Sequence, residues 1–181
     1  MKRLFLLRHA KADREEPGAG DKERILAPRG REDAARIGRF LNEEVYLPNL
    51  ILCSTAARTR QTLELLLPGL GIQPQVEYLD ELYLADAETI LTLVRQAADG
   101  TGSLMIVGHN PGLEEAARSL VRPPEERKLR KRYQAMSEKF PTGSLAAIDF
   151  EAEHWGAIGG WVGELELFVR PKDLREEKEE E

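Results

Sequence analysis

Apolar residues along this chain gather in short unbroken runs, each followed at once by polar ones. Residues 3–7 hold Leu4-Phe5-Leu6-Leu7, and Leu50-Ile51-Leu52-Cys53 and Leu104-Met105-Ile106-Val107 repeat the form. Runs of this kind fit strands buried on both faces. Gln75–Tyr78 reads as a shorter third strand between the last two, and Leu145–Phe150 and Glu164–Val169 as two late strands around a turn-rich stretch. Between the strands the period lengthens. Pro28-Arg29-Gly30 leads into an amphipathic helix to about Glu44, with Ala34, Ala35, Ile37, Gly38, Phe40 and Leu41 on its apolar positions. Ser54 or Thr55 is a candidate cap for a helix reaching Leu67, stopped by Pro68-Gly69. Further helices are predicted from about Ala87 to Ala98 and from about Leu113 to Leu120. Residues 11–27 are polar and Gly-rich, hence a loop, and no internal repeat is present.

Apolar strands alternating with helices predict an α/β fold, a three-layer α/β/α sandwich with a mostly parallel central sheet. In such sheets ligands bind beyond the carboxyl ends of the strands. Three of those ends are conspicuous. The first is Arg8-His9, the second Cys53-Ser54 with Arg58 one helical turn on, and the fourth Gly108-His109-Asn110. Parallel strands would bring both arginines and both histidines to one edge. Two guanidiniums in one pocket repel unless an anion lies between them, and their planar donor forks suit carboxylate or phosphate oxygens. Phosphate is favoured, because helices starting near residues 55 and 111 aim N–H groups at the same edge. A histidine beside a bound phosphate is a candidate nucleophile.

Composition narrows the setting. The chain has 181 residues, suiting one domain over residues 1–171 that needs no disulfide or metal to fold. Lone Cys53 fits a reducing compartment, no run approaches the length of a membrane span, and the N-terminal stretch is too short for a signal peptide. A cytoplasmic location is expected. The formal charge is −6, much of it in the tail at 172–181, which reads as a solvated end, disordered or a frayed helix. The basic run Arg127–Arg132 reads as an exposed face or as an electrostatic guide at a pocket rim. Nucleic acid is not an expected partner of this acidic chain.

The same residues carry a resemblance. Leu7-Arg8-His9-Ala10 resembles the Arg-His-Gly/Ala motif of the histidine phosphatase (phosphoglycerate-mutase-like) superfamily. Ser54 to Thr62 resembles its Ser-x-x-x-Arg-x-x-x-Thr element, and Val107-Gly108-His109-Asn110-Pro111-Gly112 its second-histidine element in the SixA phosphohistidine phosphatase branch. Leu82-Tyr83-Leu84-Ala85 and Pro141-Thr142-Gly143-Ser144 are also similar to stretches of that branch. The resemblance implies that His9 is the nucleophile and forms a phosphohistidine intermediate. Arg8, Arg58 and His109 would bind the phosphoryl oxygens, with Ser54 and Asn110 in the matched elements beside them. Glu81 falls where the superfamily places its general acid, with Asp80 its neighbour, although this branch lacks the fuller acidic motif of the mutases. No metal or organic cofactor is implied. A phosphorylated protein is the expected substrate of a monomer.

Other readings remain in view. The substrate could instead be a small phosphate ester, or the chain could bind phosphoproteins without turnover. Cys53 as a cysteine-phosphatase nucleophile is disfavoured, because the position six residues on is Thr59 rather than arginine. A metallophosphatase is disfavoured because Arg8 and Arg58 would repel a divalent cation and no clustered ligand motif appears. Arg24 is a candidate for the pocket rim, Arg60 for a solvated charge, and His154 for a structural or surface residue.

Overall fold

Strand alternation divides the apolar residues between two faces of one sheet, and that division builds the molecule. The structure, a computed structural model, describes residues 1–176. Its strands are β1 (Lys2–Arg8), β2 (Leu50–Ser54), β3 (Gln75–Leu79), β4 (Ser103–Gly108), β5 (Leu145–Phe150) and β6 (Glu164–Val169), in the spatial order β3-β2-β4-β1-β5-β6. The first four are mutually parallel, and β5 is antiparallel to both of its neighbours. The helices are α1 (Pro28–Glu43), α2 (Ala57–Leu70), α3 (Ala87–Arg95), α4 (Gly112–Leu120), α5 (Arg127–Glu138) and α6 (Pro171–Glu176).

Leu4, Leu6, Leu104 and Ile106 face α3, α4 and Met136 of α5. Their strand neighbours Phe5, Leu7, Met105 and Val107 face the other way, onto α1, α2 and Leu174 of α6. This is the expected three-layer α/β/α sandwich. Every one of these strand side chains is fully buried, and at roughly 1.5–3 kcal/mol for each large apolar side chain removed from water the two faces supply the main driving force. Within the described residues no helix is long and apolar enough to cross a membrane.

Several boundaries differ from those expected. The second helix starts at Ala57, with Ala56 as its N-cap, and continues through Pro68 to Leu70, ending on Gly71 in the left-handed conformation. Proline in the last turn forfeits one backbone hydrogen bond; burial of Leu66 and Leu70 against α1 keeps the turn wound. The third helix ends at Arg95 rather than Ala98. The basic run is the helix α5, and the 11–27 loop contains a short 3-10 turn, Asp21–Glu23. The tail also differs from the frayed end expected from residue 172. Leu174 is buried in the core and Asp173 pairs with Arg170, so α6 is a packed helix; residues 177–181 of that expected tail lie outside the described ones.

Helices α1 and α2 meet at Gly38, where an added Cβ would lie 2.1 Å from the Leu66 carbonyl oxygen. Backbone cannot yield as a flexible side chain does, so the helices must separate to admit a methyl group. Gly38→Ala is expected to cost about 1–3 kcal/mol, the usual range for overpacking. Gly100→Ala, with nothing within 4 Å of the new Cβ, is the control. Urea unfolding midpoints check it: a drop confined to Gly38→Ala is expected, and equal midpoints would show that the interface is loose.

Candidate active site

Register brings the strand ends level. Arg8 of β1 lies opposite Gly108 of β4, and Cys53 of β2 opposite Val107. His9 and His109 therefore emerge side by side, with ring centroids 5.4 Å apart. The ladder closes just past the strand, where His9 N–H donates to the Gly108 carbonyl at 3.1 Å. Strand geometry ends at Arg8, and the Gly143 N–H donates to the carbonyls of both Arg8 and His9. Adjacent residues of a strand point to opposite sides, so this departure lets two neighbours serve one place. The segment after His9 is gripped closely: an added Cβ on Gly30 would lie 2.1 Å from the Lys11 carbonyl oxygen.

Each central side chain is anchored on one side and left without a partner on another. His9 is buried, with Nδ1 2.7 Å from the Ala10 carbonyl oxygen. A carbonyl only accepts, so Nδ1 carries the proton and the neutral ring keeps its lone pair on Nε2. Arg8 donates from Nη1 to the Phe140 carbonyl at 3.0 Å. Arg58, 3% exposed, donates from Nη1 to the Asp21 carbonyl at 2.8 Å and from Nη2 to the Asp21 carboxylate at 3.0 Å. His109 Nε2 lies 2.8 Å from Ser54 Oγ. Arg8 Nε, Arg58 Nε and His109 Nδ1 are buried without a hydrogen-bond partner. Buried polar atoms rarely stay unpaired, and three on converging cationic or imidazole groups mark a place shaped for an acceptor-rich anion.

Electrostatics agree. Burial pushes the His9 imidazole down to about 4, with Arg58, Arg8 and Arg24 acting in the same direction against the Ala10 hydrogen bond. His109 is pushed down to about 3 by burial, then by His9 and Arg58. Burial also lowers Arg8, and Arg58 adds to that shift. Asp21 is held down to about 2, first by the Tyr83 hydroxyl hydrogen bond and then by Arg24 and Arg58.

The remaining candidates take varied positions. Ser54 is fully buried and also accepts from Ala56 N–H at 3.3 Å. Asn110 donates to the Phe140 carbonyl that Arg8 also uses, and binds back to Glu114. Arg24 reaches the Asp21 carboxylate at 3.1 Å and the Asp13 carbonyl at 3.0 Å. Glu81 is exposed, and no hydrogen bond or ion pair ties it to the four central side chains. Asp80 is engaged by Thr55 and Lys22. Cys53 is buried and its thiol is pushed up to about 12 by burial, which makes it a poor nucleophile. Arg60 stacks over Tyr78 at 4.7 Å, and exposed His154 pairs with Asp99. Among the described residues no group of three or more His, Cys, Asp or Glu is set to hold a metal.

Two residues of the site were not singled out from the sequence. Asp21 braces Arg58, and Tyr83 donates its hydroxyl to Asp21 at 2.5 Å while standing edge-on to His109 at 5.6 Å. Tyr83 lies in a stretch already similar to the family; Asp21 lies in an aperiodic loop and left no such signal.

The chain and its fold have known relatives. The model of the histidine phosphatase superfamily (branch 1) matches residues 4–103. The uncharacterized protein Rv1276c of Mycobacterium tuberculosis is 33% identical over 92% of this chain and 100% of its own. A solved SixA phosphohistidine phosphatase candidate from Agrobacterium tumefaciens is 34% identical, covers 94% of this chain and 98% of its own, and superposes with a TM-score of 0.78. A second, from Nakamurella multipartitia, is 30% identical over 94% of this chain and 96% of its own, with a TM-score of 0.77.

The depressed imidazoles have a stability consequence. Between the ordinary histidine value of 6.5 and about 4, the unfolded chain binds a proton at position 9 that the folded chain refuses. The contribution is complete above pH 6.5 and is lost as pH falls toward 4. His9→Gln is expected to flatten the slope of stability against pH in that window, read from urea midpoints at several pH values. An unchanged slope would contradict a buried neutral His9.

Proposed function

The chain belongs to the histidine phosphatase superfamily, in its SixA-type branch, and on that premise we propose that it hydrolyses protein phosphohistidine through a phosphohistidine on its own His9. It is a hydrolase of the phosphatase type; the nucleophile, the roles around it and the substrate are the proposal. The observation that carries it is the set of buried, unpartnered nitrogens on Arg8, Arg58 and His109 gathered about a neutral His9.

In the first step the lone pair on His9 Nε2 attacks phosphorus, forming an N–P bond as the bond to the leaving group breaks. Arg8 and Arg58 stabilise the charge on the transferring phosphoryl oxygens. In this reading the Ser54 hydroxyl donates to His109 Nε2, which puts the His109 proton on the unpaired Nδ1 as a donor to a phosphoryl oxygen. In the second step water attacks the phosphohistidine, releasing phosphate and returning the lone pair to His9. The nearby cations and the Ala10 carbonyl hold the intermediate without a bound metal ion.

Leaving-group chemistry supports a phosphohistidine substrate. Asp21, the carboxyl built into the site, stays ionised down to about pH 2 and has no proton to give at neutral pH. Glu81 is exposed on the same segment as Tyr83 and remains the candidate acid for substrates that need one. The imidazole of a phosphohistidine can take up its proton before it departs, so it needs little help. The two solved neighbours, at 34% and 30% identity, are themselves SixA phosphohistidine phosphatase candidates.

Wild-type protein is expected to dephosphorylate a phosphohistidine peptide equally well with and without EDTA, and His9→Ala to show no turnover above background. Arg58→Ala is expected to lose about 10²–10³ in rate. Phosphate release assays check all three. Chelator-sensitive turnover, or full activity of His9→Ala, would overturn the mechanism.

A further inference from the structure

A second feature lies against the site and has no part in the chemistry above. A groove of about 320 Å³ opens between the start of α1, the 139–142 segment and α6. Its charged lining is six basic side chains, Lys11, Arg29, Lys139, Arg170, Lys172 and Arg175, against one acid, Asp33. That acid is already engaged, by Arg36 at 3.1 Å and Arg175 at 3.6 Å, and Arg170 pairs with Asp173 at 2.9 Å. Lys11, Arg29, Lys139 and Lys172 are exposed, and no contact-distance ion pair holds them among the described residues; Asp33 is reached by the charges of Lys11 and Arg29, and Asp173 by that of Lys172, only at longer range. Four such cations around one groove, in a chain of net charge −6, form a local positive field that an anion relieves. The basic run 127–132 does not line this groove; Lys139, just past the end of α5, does.

The groove and the site share their wall. Lys11 is two residues past His9, a chain distance of about 7 Å. Pro141 follows Phe140, whose carbonyl accepts from Arg8, and Gly143, which bonds the Arg8 and His9 carbonyls, packs on Pro171 of α6. The segments that follow Arg8-His9 and Phe140 thus run from the site into the lining of the groove.

Resting on the phosphatase reading, we propose that this groove binds a second, anionic part of the substrate: the carboxylate side chains that flank the phosphorylated residue of an acidic protein segment. The choice of carboxylates follows from the lining. A second phosphate is best held by guanidinium forks converging in an enclosed site. Here the cations outside ion pairs are exposed, mostly lysine point charges spread over four chain segments. That spread matches charges distributed along an extended acidic peptide.

The test uses the double charge reversal Lys139→Glu/Lys172→Glu, away from the catalytic groups. Two phosphohistidine peptides are compared, one with glutamates on both sides and one with glutamines, beside p-nitrophenyl phosphate as a small substrate. In the parent protein the glutamate peptide is expected to have the lower KM, with the difference shrinking in high salt. The double variant is expected to raise its KM about tenfold with kcat unchanged, and to leave the glutamine peptide and the small ester alone. Equal KM values for the two peptides, or an equal effect of the variant on all three substrates, would overturn the proposal. So would a KM response to the variant seen with propane-1,3-diyl bisphosphate but not with the glutamate peptide, since the groove would then be a second phosphate site. Binding of the labelled, unphosphorylated glutamate peptide to His9→Ala, read by fluorescence anisotropy, separates the two readings. Salt-sensitive binding lost in the charge reversal supports the groove even if no peptide is hydrolysed, whereas hydrolysis without such binding keeps the phosphatase and removes the groove.

Discussion

Two guanidiniums, half-buried Arg8 and buried Arg58, lie close enough for one to act on the other, and much of the surrounding structure serves to keep them there. Arg8 and Arg58 repel each other, and burial removes the water that would screen them. Their repulsion is contained by fixed acceptors, the Phe140 carbonyl for one and both the carbonyl and the carboxylate of Asp21 for the other. Those acceptors hold the outer edges, leaving each buried Nε unpaired. An oxyanion between the two guanidiniums relieves that repulsion, which is the electrostatic role proposed for the pair.

Burial, and behind it the same positive field, sets the state of the histidines. A protonated imidazole beside Arg8 and Arg58 would add another like charge in a poorly solvated place, so both rings stay neutral well below ordinary histidine values. For His9 neutrality means an available lone pair, and the Ala10 carbonyl decides on which nitrogen. For His109 the neighbour is the Ser54 hydroxyl, 2.8 Å from Nε2. The sheet makes this possible by ending β1, β2 and β4 at one level, so that three distant chain segments deliver side chains to one volume. Beyond the wall of that volume, the basic groove extends the preference for anions from the phosphoryl group to what surrounds it.

Much of this was legible in the sequence because the chemistry sits on periodic elements. Arg8, His9 and His109 follow apolar runs that can only be buried strands, and Arg58 falls in the first turn of the helix after another. What stayed hidden lacked a period. Asp21 reaches Arg58 from a Gly-rich loop whose path no pattern specifies. The packing of α6 was masked by its charge, since only Pro171 and Leu174 anchor it among acids and bases. Pro68 read as a stop, yet tertiary packing on α1 carried the helix past it. In each case a contact distant in sequence outweighed the local signal.

The account turns on a covalent bond between phosphorus and His9 Nε2. Rapid mixing with a phosphohistidine peptide, quenching at alkaline pH where phosphohistidine survives, and mass analysis of the N-terminal peptide tests it directly. The peptide containing His9 is predicted to gain the mass of one phosphoryl group transiently, and the gain to vanish in His9→Ala. Steady release of phosphate with no such adduct at any mixing time, and undiminished in His9→Ala, would contradict it.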